Sequence, residues 1–423
     1  MGFHPMGLSL LIAVAKQSGC DVSLFDTTYF DFGYVDWLVA GNNLGIYKPV
    51  DMVPYGQVKE KKDLHSEYAK RIDEFKPDAV MFTVMGDEYL IAEELTKLTD
   101  VPTLWGGPYV SVNPDGALKR GADHICIGAG VTTLRRFITG DRSRVFQINP
   151  DENQDGFPYL DWDEYSPSDS YRPYCGKVYR MIDYVISRGC PYECTYCINA
   201  HYHKLWGGRK IYRYSIDRVI EELKHLKSKY RMEFIKFHDN MFLMHPQLEE
   251  LSRRFRKEVN LPFVCETHVK TVTKETARLL KEMGCVSVSM GVETGNLWLR
   301  KNVLERVETT EEIVSAFGIM NDAGIRTVSY NMLALPFETK ETYKETVELN
   351  ARSGVQVPYA DFFYPFEGTK LRDISIQNGY FDPECGTIYK RDEPALRFKD
   401  VTVAEWVKNK YEFGNNVRNH AAI

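Results

Sequence analysis

Three cysteines at the end of an apolar run constrain this chain more than any other feature. The stretch Ser187-Arg-Gly-Cys-Pro-Tyr-Glu-Cys-Thr-Tyr-Cys197 spaces Cys190, Cys194 and Cys197 as C-x3-C-x2-C. The run Ile182 to Ile186 before it reads as a buried strand. Three thiolates on one tight loop hold an iron–sulfur cluster by three of its irons, leaving the fourth open to a ligand that is not protein. A closed zinc site completed by His201 or His203 draws on the same loop. C-x3-C-x2-C-x3-H is not a common zinc spacing, however, and a long alternation of helices and strands follows. The residues establish a metal or cluster site, and the context favours the cluster. Cys126, Cys265 and Cys285 lie in apolar runs and read as inert core.

Composition narrows the setting. A length of 423 residues suggests about two domains, and 43% hydrophobic residues suffice for their cores. The net charge of -6 argues against a generic polyanion binder, so no nucleic-acid partner is expected. Nine cysteines, an odd number with three in one motif, point to a reducing compartment and a cytoplasmic location. No apolar run approaches a transmembrane length. Leu8 to Ala15 is too short, and no basic segment precedes it as in a signal peptide.

Periodicity organises the rest. Gly7–Ser18 reads as a helix and Val22–Phe25 as a strand; residues 30 to 65 carry no clear period, and Lys59 to Lys62 reads as a solvated turn. Helices are expected at Glu67–Phe75 and Glu88–Leu98, strands at Ala79–Val84, Thr103–Trp105 and His124–Ile127, the last closing that series. Such alternation predicts a doubly wound, Rossmann-like parallel sheet over residues 1–140, with ligands beyond the carboxyl ends of its strands. Residues 141–180, rich in Pro, Asp, Tyr and Ser, read as an irregular linker. After the cysteine loop, strands at 234–237, 263–267, 286–290, 327–333 and 355–363 alternate with helices. With the strand before the loop they make six βα-type units over 181–370, a partial (β/α)6 barrel of TIM-like form. Residues 371–423 form a C-terminal extension whose Trp406, Tyr411 and Phe413 are expected on the barrel mouth.

The cysteine spacing, with Tyr196 before the last cysteine, resembles the radical S-adenosylmethionine (SAM) family. The resemblance implies a 4Fe-4S cluster, SAM chelated at the open iron, reductive cleavage to a 5′-deoxyadenosyl radical, and an electron donor such as flavodoxin or ferredoxin. It also implies SAM-binding roles for Tyr196, for Asp239 and Asn240 after the second barrel strand, and for Gly291 and Glu293 in Gly291-Val-Glu-Thr-Gly295. His268 stands where relatives often carry Arg. Ala334 and Phe337 replace the glycines of a Gly-Leu-Pro-Gly-Glu-Thr turn.

A second resemblance covers the first half. Trp105-Gly-Gly-Pro-Tyr109, Asn113-Pro and Gly121-Ala-Asp-His-Ile-Cys-Ile-Gly-Ala-Gly130 are similar to the cobalamin-binding domain that precedes many radical SAM domains. It implies cobalamin contacts from Thr83, Met85, Gly106, Gly107, Gly128 and Gly130, and His4 as a candidate cobalt ligand in a partial D-x-H-x-x-G motif. Ala129 and Val131 replace common acidic residues, and the sheet is expected to lack its first strand. The expectation is a cobalamin-dependent radical SAM methyltransferase acting on a small molecule or biosynthetic intermediate at an unactivated carbon or phosphorus centre. A radical cyclase, rearrangement or C–C coupling enzyme with a scaffold-only N-terminal domain is the first alternative. A non-catalytic cobalamin or metal sensor is the second.

Overall fold

Strand-length apolar runs separated by amphipathic helices bury their strands on parallel sheets, and two such sheets form here. A computed structural model describes residues 4–28, 30, 50–58, 62–86, 88–150, 153–385 and 392–421. Residues 31–49 and 59–61, which include much of the aperiodic stretch and most of the expected turn, lie outside them.

The first sheet holds β1 (Val80–Thr83), β2 (Thr103–Gly106), β3 (His124–Gly128) and β4 (Val145–Ile148), parallel and in that order. The helices Met6–Gln17 and Gly130–Ile138 pack on each other, through residues such as Leu10, Val14 and Leu134. Two expectations change. Val22–Phe25 is not a strand: it has no ladder partner among the described strands, although Val22 and Leu24 pack on the core. His124–Gly128 does not end the sheet, because β4 follows inside the stretch read as linker.

That stretch also carries a hairpin. β5 (Tyr171–Tyr174) pairs antiparallel with β6 (Lys177–Tyr184). After a short ladder of β7 (Ser187–Arg188) with β8 (Tyr212–Arg213) come β9 (Phe234–Phe237), β10 (Phe263–Thr267), β11 (Cys285–Glu293), β12 (Arg326–Leu333) and β13 (Val357–Phe362). The large sheet runs β13-β12-β11-β10-β9-β6-β5, parallel except for the β5 edge. Helices cover its outer face, where Ile182, Ile235, Phe237, Phe263 and Cys265 join the main core. Capping boxes start the helices Lys274–Met283, Thr310–Asp322 and Lys340–Arg352 at Thr273, Thr309 and Thr339. The chain is thus a parallel Rossmann-like sheet followed by a partial barrel. Among the described residues no helix is long and apolar enough to cross a membrane.

The C-terminal extension differs from expectation. Helix Val403–Ala421 lies on the outer flank of β13 and helix Lys340–Arg352, not on the mouth. Trp406 and Phe413 are buried there with Leu333, Tyr343 and Phe362.

Candidate active site

The cysteine loop leaves the carboxyl end of β6, and buried polar contacts fix its path. Asp239, fully buried, accepts hydrogen bonds from the backbone N–H of Ile186 (3.0 Å) and Ser187 (2.7 Å) and from the Ser187 hydroxyl (2.6 Å). Burial raises its carboxyl to about 7 against those bonds. Asp239 therefore holds the loop's entry instead of reaching a ligand directly, and Asn240 is exposed. Further along, Thr195 donates through Oγ1 to the Val303 carbonyl (2.6 Å) and through its N–H to the Leu304 carbonyl (3.1 Å).

Cys190 and Cys197 are half-buried and Cys194 is buried, all as free thiols. Burial pushes the Cys194 thiol up to about 12, so metal binding there must displace a proton. Asn199 Nδ2 donates to Cys197 Sγ at 3.4 Å. Neither candidate histidine completes a zinc site. His203 Nε2 meets the Cys190 carbonyl (2.7 Å), and His201 Nε2 meets the Ser111 carbonyl (2.9 Å). Among the described residues no three His, Cys, Asp or Glu side chains converge on one ion. A 4Fe-4S cluster asks for something else, one thiolate for each of three irons, and the donor set fits it.

Beside the loop sits a buried charge network. Tyr196 Oη donates to Glu293 Oε1 (3.1 Å) and accepts from Arg306 Nη1 (2.7 Å). Arg306 also reaches Glu293 (3.2 Å), the Gly291 carbonyl (3.0 Å) and, through Nε, Glu308. Glu308 faces His268 Nε2 at 3.4 Å, and Tyr192 stacks on the His268 ring with centroids 4.3 Å apart. Burial opposes ionisation of Glu308, but His268 and Arg306 outweigh it and hold the carboxyl at about 2. Burial raises Glu293 and lowers His268.

Glu293 is the last residue of β11, not a residue beyond it. The ladder shifts register between Gly291 and Glu293, and Glu293 takes φ 63. A bulge with a left-handed non-glycine residue re-aims the carboxylate into the site. Gly291 permits this, because a Cβ there would stand 2.1 Å from Glu293 Oε1. Arg306 and Glu308 did not emerge from the sequence. The one signal was the missing arginine at His268, since the guanidinium arrives from a different element. Two carboxylates against one guanidinium leave surplus negative charge, and among the described residues Glu308 Oε2 meets no donor beyond the His268 ring at 3.4 Å. Both features fit SAM, which brings an ammonium, ribose hydroxyls and a carboxylate.

The loop also touches the first sheet. Helix Asn199–Leu205 follows Cys197; its His201 bonds Ser111, and its Leu205 packs on the first-sheet core. Asn113 Nδ2 donates to Glu367 (2.7 Å), joining that sheet to the turn after β13. The carboxyl edge of the first sheet carries Thr83 and Met85, both exposed, with Gly106, Gly107, Gly128 and Gly130. Trp206 Nε1 is a buried donor without an acceptor among the described residues, near Gly128. Bare backbone and a waiting donor fit a cofactor rich in amide carbonyls, as cobalamin is. Gly107 has a more immediate duty, since at φ 105 its missing Cβ would stand 2.5 Å from the Val84 carbonyl.

His4 is placed differently from a surface histidine. It is buried, stacked on Trp162 (centroids 4.5 Å) and edge-on to Tyr165. Burial lowers it to about 4, which leaves the imidazole neutral, and its Nδ1 has no partner among the described residues. Its ring sits in that aromatic cage.

Known proteins agree with this arrangement. The model of the radical SAM superfamily matches residues 184–349, and that of the B12 binding domain matches residues 56–138. An uncharacterised methyltransferase of Pyrococcus horikoshii is 24% identical over 368 residues, covering 80% of this chain and 78% of its own. The cytidylyl-2-hydroxyethylphosphonate methyltransferase of Streptomyces wedmorensis is 23% identical, covering 90% of this chain and 79% of its own. In fold, the chain is similar to the radical SAM methyltransferase TsrM of Kitasatospora setae, solved with cobalamin and a 4Fe-4S cluster. The TM-score is 0.62 at 18% identity over 98% of this chain and 82% of that one. The chain thus carries a B12-binding domain followed by a radical SAM domain, with a 4Fe-4S cluster, SAM and cobalamin as cofactors.

Proposed function

We propose that the protein is a cobalamin-dependent methyltransferase that modifies a small molecule at an unactivated carbon or phosphorus centre. The observation that carries this reading is the seam. One short helix, Asn199–Leu205, joins the thiolate loop to the carboxyl edge of the first sheet. A methyl donor on that edge and a radical source on the loop would face one substrate space.

When bound, the reduced cluster supplies the electron that cleaves SAM, and methylcobalamin supplies the methyl group. The protein's share is placement. Cys190, Cys194 and Cys197 would hold the cluster, with Asp239 fixing the entry of their loop. Arg306 would receive the SAM carboxylate in place of the absent arginine at His268, while Glu293 and Tyr196 would take its amine or ribose hydroxyls. Gly106 and the exposed Thr83 would seat cobalamin. Electrons would come from a low-potential carrier such as flavodoxin or ferredoxin.

The test is anaerobic reconstitution of iron and sulfide, addition of hydroxocobalamin, desalting, and measurement of corrinoid and iron per chain. Near-stoichiometric corrinoid is expected, with SAM cleavage that Cys190→Ala, Cys194→Ala and Cys197→Ala each abolish. An intact cluster with no retained corrinoid would reject methyl transfer and favour cyclisation or rearrangement on a scaffold-only first domain. Cleavage surviving in any cysteine variant would reject the cluster assignment.

A further inference from the structure

The inner wall of the partial barrel is not packed as a core. Strands of a closed barrel fill its interior with layers of bulky apolar side chains. Here the outer faces of β9, β10 and β12 are buried against helices, while the inner-face residues stay half-exposed. Several of those residues are polar. Lys236 on β9 and Glu266 on β10 form a loose ion pair at 4.0 Å, with side chains 36% and 32% exposed. Tyr330 on β12 donates to Glu266 at 3.5 Å.

His238 lies two residues beyond Lys236 on the same strand face. Its Nε2 bonds Asp183 Oδ1 at 2.6 Å, and Arg172 Nη1 donates to the same oxygen at 2.7 Å. Asp183 is buried, whereas His238 is 36% exposed. The imidazole is therefore held through Nε2. Stability does not explain such a wall, because a part-exposed ion pair contributes only about 0–1 kcal/mol.

The wall also adjoins the SAM network. Glu266 lies two residues before His268, about 7 Å along the strand. Tyr330 stands in register with Gly291 on the neighbouring strand. A ligand held at Lys236 and Glu266 would thus have its remaining atoms beside the site of radical formation.

We propose that this wall binds the head group of a free α-amino acid, its carboxylate on Lys236 Nζ and its ammonium on Glu266. The reason is charge spacing. The wall presents opposite charges 4.0 Å apart, and an α-amino acid carries its two charges on groups attached to one carbon. An apolar substrate would desolvate the loose Lys236–Glu266 pair without adding a partner to either charge, at a cost. The inference rests on the methyltransferase reading and names its substrate class.

The test uses the reconstituted holoprotein and the twenty proteinogenic α-amino acids as probes, by calorimetry and thermal shift. For each binder, the matching α-hydroxy acid and the decarboxylated amine are also titrated. At least one amino acid is expected to bind saturably. Removing either charge from it should weaken binding about tenfold or more, the scale of a charge-assisted hydrogen bond. Lys236→Met and Glu266→Gln should each show the same loss, and Lys236→Arg should stay within a few fold; circular dichroism and iron content report folding. If no amino acid binds, or if the analogues and variants bind as well as the originals, the proposal falls. Substrate-independent SAM cleavage by the unmodified protein separates the two readings. Cleavage without amino-acid binding removes this inference alone, whereas no cleavage from an intact cluster removes the function beneath it.

Discussion

At the scale of the residue, Arg306 decides more than any cysteine neighbour. It is 6% exposed, and it bridges Glu293 and Glu308 beside the thiolate loop. Breaking a buried ion pair by removing one partner costs about 3–5 kcal/mol, because the other charge stays buried. Arg306→Met is therefore expected to lower unfolding free energy by about 3 kcal/mol or more and to weaken SAM binding sharply. Arg306→Lys should recover only part of both, since a point charge cannot bridge Tyr196, Glu293 and the Gly291 carbonyl as a planar fork does. Anaerobic urea denaturation and equilibrium SAM binding measure the two effects; an Arg306→Met protein equal to the parent in both would refute the role. The cysteines were legible because their spacing is local. Arg306 was not, because it is 110 positions from Tyr196, its hydrogen-bond partner at 2.7 Å, and only the fold brings the two together.

At the scale of the element, long periodic segments were legible and short ones were not. The capped helices Thr310–Asp322 and Lys340–Arg352 bury one face at helical spacing, so their period is visible in the chain. Val145–Ile148 is four residues long, too short to show a period, and becomes a strand only because β3 offers it an edge. Val22–Phe25 has the composition of a strand but no described neighbour to pair with, and tertiary context overrides propensity. The turn that closes β2 allows structural and cofactor roles to be told apart. A Cβ on Gly107 would strike the Val84 carbonyl at 2.5 Å with φ 105, whereas one on Gly106 would meet only Cys126 Cβ at an ordinary 3.6 Å. Gly107→Ala is expected to cost about 1–3 kcal/mol from strain. Gly106→Ala should stay within about 0.5 kcal/mol in stability and yet lose corrinoid after desalting. Thermal denaturation paired with corrinoid absorbance checks this, and a Gly106→Ala protein that retains cobalamin fully would remove that glycine from the cofactor contact.

At the scale of the whole molecule, a partial barrel has to deal with an edge that a closed barrel lacks. β13 ends the large sheet, and an exposed edge strand invites pairing with other chains. Helix Val403–Ala421 lies along that strand: Lys410 reaches Asp361 at 2.6 Å, and Tyr343 Oη donates to the Asn409 carbonyl at 3.1 Å. The anchor is Trp406, fully buried and ringed by Tyr343 and Phe398 at centroid distances of 6.5 and 5.3 Å. The sequence showed that the tail's aromatics would pack; it could not show on which side, because both faces of the barrel end offer apolar residues. The seam at Asn113 and Glu367 is built from other elements, and it is the earlier part of the extension, through Leu371 N–H to the Thr195 carbonyl at 2.9 Å, that meets the thiolate loop. Trp406→Ala deletes a buried indole from a site that cannot readily collapse, a change worth about 3–5 kcal/mol. It is expected to lower the urea midpoint by that amount and to promote association as β13 loses its cover. Cluster and corrinoid content per folded chain should stay at the parent level, because Trp406 touches neither the thiolate loop nor the glycine-lined edge. Urea unfolding, light scattering and cofactor content together read this out. A loss of cofactor in protein that is still folded would place the helix on the mouth after all.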